Sequence, residues 1–175
     1  RFGAPGRSRL EGASAPCQGG SGDITYRVAS VRGTFYYLDL MLDIYSRKIV
    51  GWEVHAEEST ELAAKLAEKA HADEGVVRGA LTLHSDNGGP MKGATMLATL
   101  QKLQVVPSFS RPSVSDDNPF SESLFKTLKY RPSYPDGAFA GLAEAITWTD
   151  KFVHWYNTEH FHSAIKFLTP ESLTP

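Results

Sequence analysis

Between residues 23 and 55 three strand-length segments follow one another with no helical pattern between them, and after Ser59 the pattern switches to alternating helices and strands. Ile24, Tyr26 and Val28 alternate with polar residues, which is the period of a strand with Asp23 on the opposite parity. Thr34 to Asp43 is aromatic and apolar, Ser46-Arg47-Lys48 turns the chain, and Ile49 to His55 supplies a third strand. An antiparallel meander is therefore expected. Ser59 suits the N-cap of a helix running through Glu74, with Leu62, Leu66 and Ala70 at helical spacing. Leu81-Thr82-Leu83 predicts a short strand ending at His84-Ser85-Asp86, and Asn87-Gly88-Gly89-Pro90 a loop. A helix over Gly93 to Leu103, a strand over Val105 to Ser108, and helices over Asn118 to Lys129 and Gly141 to about Tyr156 complete the order. The sum, β-β-β-α-β-α-β-α-α, is that of an α/β layered domain.

The length of 175 residues fits one domain with a proper core. Two regions are distinguished: a leader over 1–22, rich in Gly, Ser, Ala and Pro, which reads as disordered or unrelated, and a core over 23–175. No apolar run approaches the ~20 residues of a membrane span, and the N-terminus carries no continuous apolar stretch of a signal peptide. A single cysteine, Cys17, excludes an internal disulfide and a cysteine zinc cluster, and a cytoplasmic setting is the default.

Three acidic residues stand out by context. Asp23 opens the first strand, Asp86 ends a strand at a glycine loop, and Glu122, with 35 residues between it and Asp86, stands at the start of a helix. Pro119 suits the first turn of that helix, with Asp117 or Asn118 as N-cap, and the helix dipole favours an ionised Glu122. Carboxylates drawn from a strand, a strand end and a helix are what a two-metal phosphoryl-transfer site needs, because hard divalent cations prefer oxygen ligands. Taken singly, each has an ordinary reading: a strand-end cap for the aspartates, and for Glu122 a dipole-complementing residue paired with Lys126. Lys126 and Lys129 follow Glu122 at i+4 and i+7 on one helical face, while Phe120, Leu124, Phe125 and Leu128 turn toward the core.

The formal net charge of −2 argues against a strongly DNA-binding chain. Locally the balance reverses: Asp86 to Arg131 holds six basic residues against four acidic ones. Weak, non-specific DNA affinity is the expectation.

Four segments carry a family resemblance: Asp23-Ile24-Thr25-Tyr26; the run Leu42-Asp43-Ile44-Tyr45-Ser46-Arg47-Lys48-Ile49-Val50-Gly51-Trp52; His84-Ser85-Asp86-Asn87-Gly88; and Asp117-Asn118-Pro119-Phe120-Ser121-Glu122 with Lys129 downstream. In this order and spacing, from about Asp23 to Pro170, the chain resembles the DDE transposases of bacterial insertion sequences, whose catalytic core is similar to retroviral integrases. The resemblance implies a ribonuclease-H-like fold with a five-stranded mixed sheet, the first strand central and the fourth its neighbour. It implies catalysis by Asp23, Asp86 and Glu122, which would hold two Mg2+ ions, with Mn2+ as substitute. The reaction implied is DNA strand cleavage and strand transfer, acting on transposon ends and target DNA as a homo-oligomer at the bacterial nucleoid. Lys126 and Lys129 would hold DNA phosphates, and Arg111 and Arg131 would extend that contact.

Other residues read as structural: His84 packed at the strand end, and Asp43 stabilising its turn. His160 and His162 lack further ligands at zinc-like spacing. Asp39 interrupts an apolar strand and would be costly if buried and unpaired. Nothing upstream of Asp23 resembles an end-binding helix-turn-helix, so a truncated or rearranged copy is expected. The alternative is an inactive remnant that binds DNA or another subunit without catalysis.

Overall fold

The computed structural model describes residues 19–28 as backbone, and residues 35–85, 89–110, 119–135 and 138–174 in full. Strands β1 (Gly19–Val28), β2 (Phe35–Asp43) and β3 (Ile49–His55) come first, followed by helix α1 (Thr60–Asp73) and strand β4 (Thr82–Ser85). A short helix α2 (Gly89–Lys92), helix α3 (Ala94–Leu103), strand β5 (Val106–Phe109) and helices α4 (Pro119–Lys129) and α5 (Leu142–Thr158) complete the domain. The strands form one sheet in the order β3-β2-β1-β4-β5. The β1–β2 and β2–β3 pairs are antiparallel, whereas β1–β4 and β4–β5 are parallel.

Two expectations are corrected. The expected leader ran through residue 22, but β1 begins at Gly19, and Gly19 to Gly22 pair with β4. Main-chain ladders need no side chains, whereas sequence periodicity does, so a Gly-Ser run gives no strand signal even in a central strand. The expected loop at Asn87 to Pro90 is cut short by α2, which takes up Gly89 and Pro90; proline pre-sets the φ of a helical first turn.

The sheet is covered on both faces, which explains why β2 reads as a nearly continuous apolar run rather than an alternating one. Leu38, Leu40 and Leu42 pack with Leu124 and Leu128 of α4 and with Phe152, Val153 and Tyr156 of α5. Met41, on the other parity, packs with Ala63, Leu66 and Ala70 of α1 and with Met96 and Leu100 of α3. At Gly51 of β3 a Cβ would meet Ala70 Cβ at 3.0 Å and Leu66 Cδ1 at 3.2 Å, so the glycine sets how closely α1 approaches the sheet. The Ser59 hydroxyl caps α1 as expected, accepting from Glu61 N at 3.2 Å and Leu62 N at 3.4 Å.

One long-range polar clamp joins α5 to the sheet. The Asn157 amide accepts from Ile49 N at 2.9 Å and donates to Ile49 O at 3.0 Å, making both hydrogen bonds that a neighbouring strand would make. Replacing Asn157 by Leu orphans both main-chain groups at a part-buried position. Chemical denaturation is expected to show a loss of about 2 kcal/mol, with an unchanged midpoint as the contrary result.

Candidate active site

The parallel ladder between β1 and β4 runs from Gly19↔Thr82 to Gly22↔Ser85. The next residue on β1 is Asp23, and the next after β4 is Asp86. Asp23 belongs to β1, where its main chain pairs with Leu40 of β2. Asp86 lies outside the described residues, as does Arg111.

The end of β4 is held firmly. His84 is buried, with Nδ1 at 3.1 Å from Ser108 Oγ and Nε2 at 3.3 Å from Ser110 Oγ. Ser110 N also donates to Ser85 O at 3.0 Å. His84 therefore ties β4 to β5, the structural role expected of it.

Helix α4 packs against β1, the strand that carries Asp23. Ser121, Leu124 and Leu128 are its buried face, while Glu122, Lys126 and Lys129 lie exposed on the other. Among the described residues the Glu122 side chain makes no hydrogen bond and no ion pair, so the surface pair with Lys126 does not form. That leaves the carboxylate oxygens available, in the first turn of a helix whose dipole favours their ionised form.

The turn after β2 is built as its sequence suggests. Asp43 Oδ2 accepts from Ser46 N at 2.9 Å and Ser46 Oγ at 2.6 Å, and Arg47 takes φ of 65°. The Arg47 guanidinium lies 4.2 Å over the Phe120 ring, so this turn grips the start of α4 two residues before Glu122. Neither that grip nor the Asn157 clamp is foreseeable from local pattern; the only hint is that Arg47, Phe120 and Ile49 fall in segments that carry the resemblance. At the other end of α4, Arg131 stacks 3.5 Å over Trp155, and its Nε donates to Ser133 Oγ at 3.1 Å.

Asp39 is buried, as feared from the sequence, and burial pushes its carboxyl up to about 6, with Glu53 and Glu58 adding to the rise and His55 opposing it. Its cross-strand partner Glu53 lies 2.9 Å from His55 Nε2. By strand parity this group belongs to the Met41 side of β2, away from α4. Its cost falls on stability rather than on the site.

Comparison with known proteins then decides the family. An integrase core domain model matches residues 13–115. The chain belongs to the integrase core domain family. A second integrase core model covers residues 103–170, and the first match begins inside the stretch set aside as leader. The chain is 33% identical over 164 residues to a transposase for an insertion sequence element of Lactococcus lactis subsp. lactis, covering 91% of this chain and 62% of that protein. This integrase core thus spans under two-thirds of that relative's length. The HTLV-2 integrase catalytic core domain, solved in complex with magnesium in a dimeric form, superposes with a TM-score of 0.64 at 15% identity, covering 93% of this chain and 99% of that one. A chain of a simian T-cell lymphotropic virus intasome gives a TM-score of 0.69 at 17% identity, covering 91% and 55%. The α/β architecture is therefore that of retroviral integrase cores, the ribonuclease-H-like fold.

Proposed function

We propose that this integrase core carries out metal-dependent DNA strand cleavage and strand transfer, as the catalytic part of an insertion-sequence transposase. The observation that carries the reading is the β1–β4 register: its last pair, Gly22↔Ser85, stands immediately before Asp23 and Asp86, while α4, which packs against β1, carries an exposed Glu122 with no partner among the described residues. One further step of that parallel register would set the two aspartates side by side.

The donor set fits hard divalent cations, being three carboxylates with no cysteine or imidazole among them. Among the described side chains no group of three acidic, His or Cys residues gathers, and Asp23 and Asp86 are not among those side chains. Asp23, Asp86 and Glu122 would hold two Mg2+ ions, or Mn2+ in their place. When bound, such ions polarise the scissile phosphate and lower the pKa of a water or 3′-hydroxyl oxygen. The protein's own part is positional. His84, Ser108 and Ser110 fix the strand end, the α4–β1 contact fixes Glu122, and Lys126 and Lys129, with Arg111 and Arg131, hold backbone phosphates of transposon-end and target DNA. Self-association on paired ends and action at the bacterial nucleoid belong to the same reading. Among the described residues no helix is long and apolar enough to cross a membrane.

Calorimetric titration of the purified chain with Mn2+ tests the site. Binding that Asp86→Asn and Glu122→Gln both weaken is expected. Binding indifferent to both substitutions would refute the assignment, and a folded chain that binds no metal, with or without DNA, would leave only a non-catalytic DNA-binding module.

A further inference from the structure

Beside α4 runs a line of cationic and imidazole side chains that the metal site does not use. Arg47 sits over Phe120 at the start of α4. His162 and His160 lie ring to ring at 4.4 Å, both against Tyr156, at 4.8 Å and 5.5 Å. His160 in turn lies 4.8 Å from Trp155, over which Arg131 is stacked. All four are half-buried, so each keeps part of its side chain in solvent. Neither arginine has an ion pair among the described residues. The carboxylate whose field reaches Arg47 is Asp43, which already accepts two hydrogen bonds from Ser46. Arg47 Nε and His162 Nε2 are enclosed and make no hydrogen bond among the described residues. The Arg47 Nε–H is thus a donor without an acceptor among the described residues, and the His162 ring lies within the electrostatic reach of Arg47.

We propose that Arg47, His162, His160 and Arg131 form a strip that seats successive backbone phosphates of DNA, parallel to α4 and separate from the Glu122 face. The inference rests on the DNA-acting reading above. A phosphodiester supplies several acceptor oxygens and a delocalised negative charge, which suits guanidinium groups flanked by imidazoles. Exposed Lys166, in the same C-terminal loop as the two histidines, adds a further positive charge at the rim.

The electrostatics agree. Burial, then His160 and Arg47, hold His162 down at about 4, and burial followed by Arg131 lowers His160. Positive groups that suppress one another's charge in this way are relieved by an anion. His162 therefore gains a proton-binding advantage when DNA occupies the seat.

The test is a fluorescence-anisotropy titration of a labelled duplex with the full chain at several salt concentrations. Arg131→Gln and His162→Gln are each expected to weaken binding roughly three- to tenfold, and Arg131→Gln, which removes a charge, to reduce the salt slope by about 1. Arg47→Lys, which keeps the charge but loses the planar fork, is expected to fall between these variants and the wild type. In parallel, NMR of the unmodified chain is expected to show the His162 pKa rising on addition of the duplex, a readout independent of any variant's folding. If Lys126→Gln and Lys129→Gln weaken binding while the seat variants and the His162 pKa do not change, the seat falls and the DNA-acting reading stands. If the wild type binds no duplex under any condition, both fall.

Discussion

In a DNA nicking and strand-transfer assay with Mg2+, Glu122→Gln is expected to lose activity by more than about a hundredfold, because even outer-shell partners of metal sites cost about 10- to 100-fold when removed. Its folding is expected to be nearly unchanged. Glu122 is exposed and makes no internal hydrogen bond or ion pair among the described residues, so its neutralisation forfeits only a weak helix-dipole interaction of a few tenths of a kcal/mol, roughly. The combination is diagnostic: an inert protein with a wild-type melting curve. An activity within about threefold of wild type would exclude Glu122 from the metal site. Lys126→Gln should behave differently, lowering affinity for DNA more than the rate at saturation, since it sits on the exposed face of α4 beside Glu122 without being an oxygen ligand.

The second large effect concerns stability. Asp39 is 6% exposed, on the side of β2 away from α4, and its carboxyl is raised from 3.8 to about 6, chiefly by burial. Because the folded pKa lies above the unfolded one, the folded state binds more protons between about pH 4 and pH 6. Stability therefore falls as pH rises through that window and stays at its lower level above it. The full difference is of the order of 3 kcal/mol. Asp39→Leu is expected to raise the melting temperature at pH 7 by several degrees, at about 2–4 °C per kcal/mol for a domain of this size. The advantage over wild type should shrink as pH is lowered from 7 to 4. A melting temperature unchanged at pH 7, or an advantage independent of pH, would show that Asp39 finds compensation in the folded protein. That cost lies on the face of the sheet that packs α1 and α3, not on the face that packs α4.

Much of the fold was legible because it is written in local chemistry. Ser59 caps α1 through its own hydroxyl, Asp43 closes its turn three residues on, and Leu124 and Leu128 turn inward because 3.6-residue periodicity places them on one face. Each of these interactions spans only a few residues. The start of β1 was not legible, because Gly19 to Gly22, three glycines and a serine, carry no apolar side chain with which to announce a strand. Asp39 was visible as an anomaly, but whether it threatened the site or only the stability depended on which face it took.

By itself, then, the sequence determined the elements apart from α2 and the start of β1, their order, the caps and turns, and the spacing of Asp23, Asp86 and Glu122. Tertiary structure alone decided that β4 lies parallel to β1 with Gly22 opposite Ser85, that α4 rests on β1, that Asn157 bonds the main chain of Ile49 from 108 positions away, and that Arg47 meets Phe120. The physical reason is range. Propensity, capping and periodicity act within a few residues, whereas register and side-chain clamps depend on main-chain groups and surfaces that come together only when the whole sheet has formed.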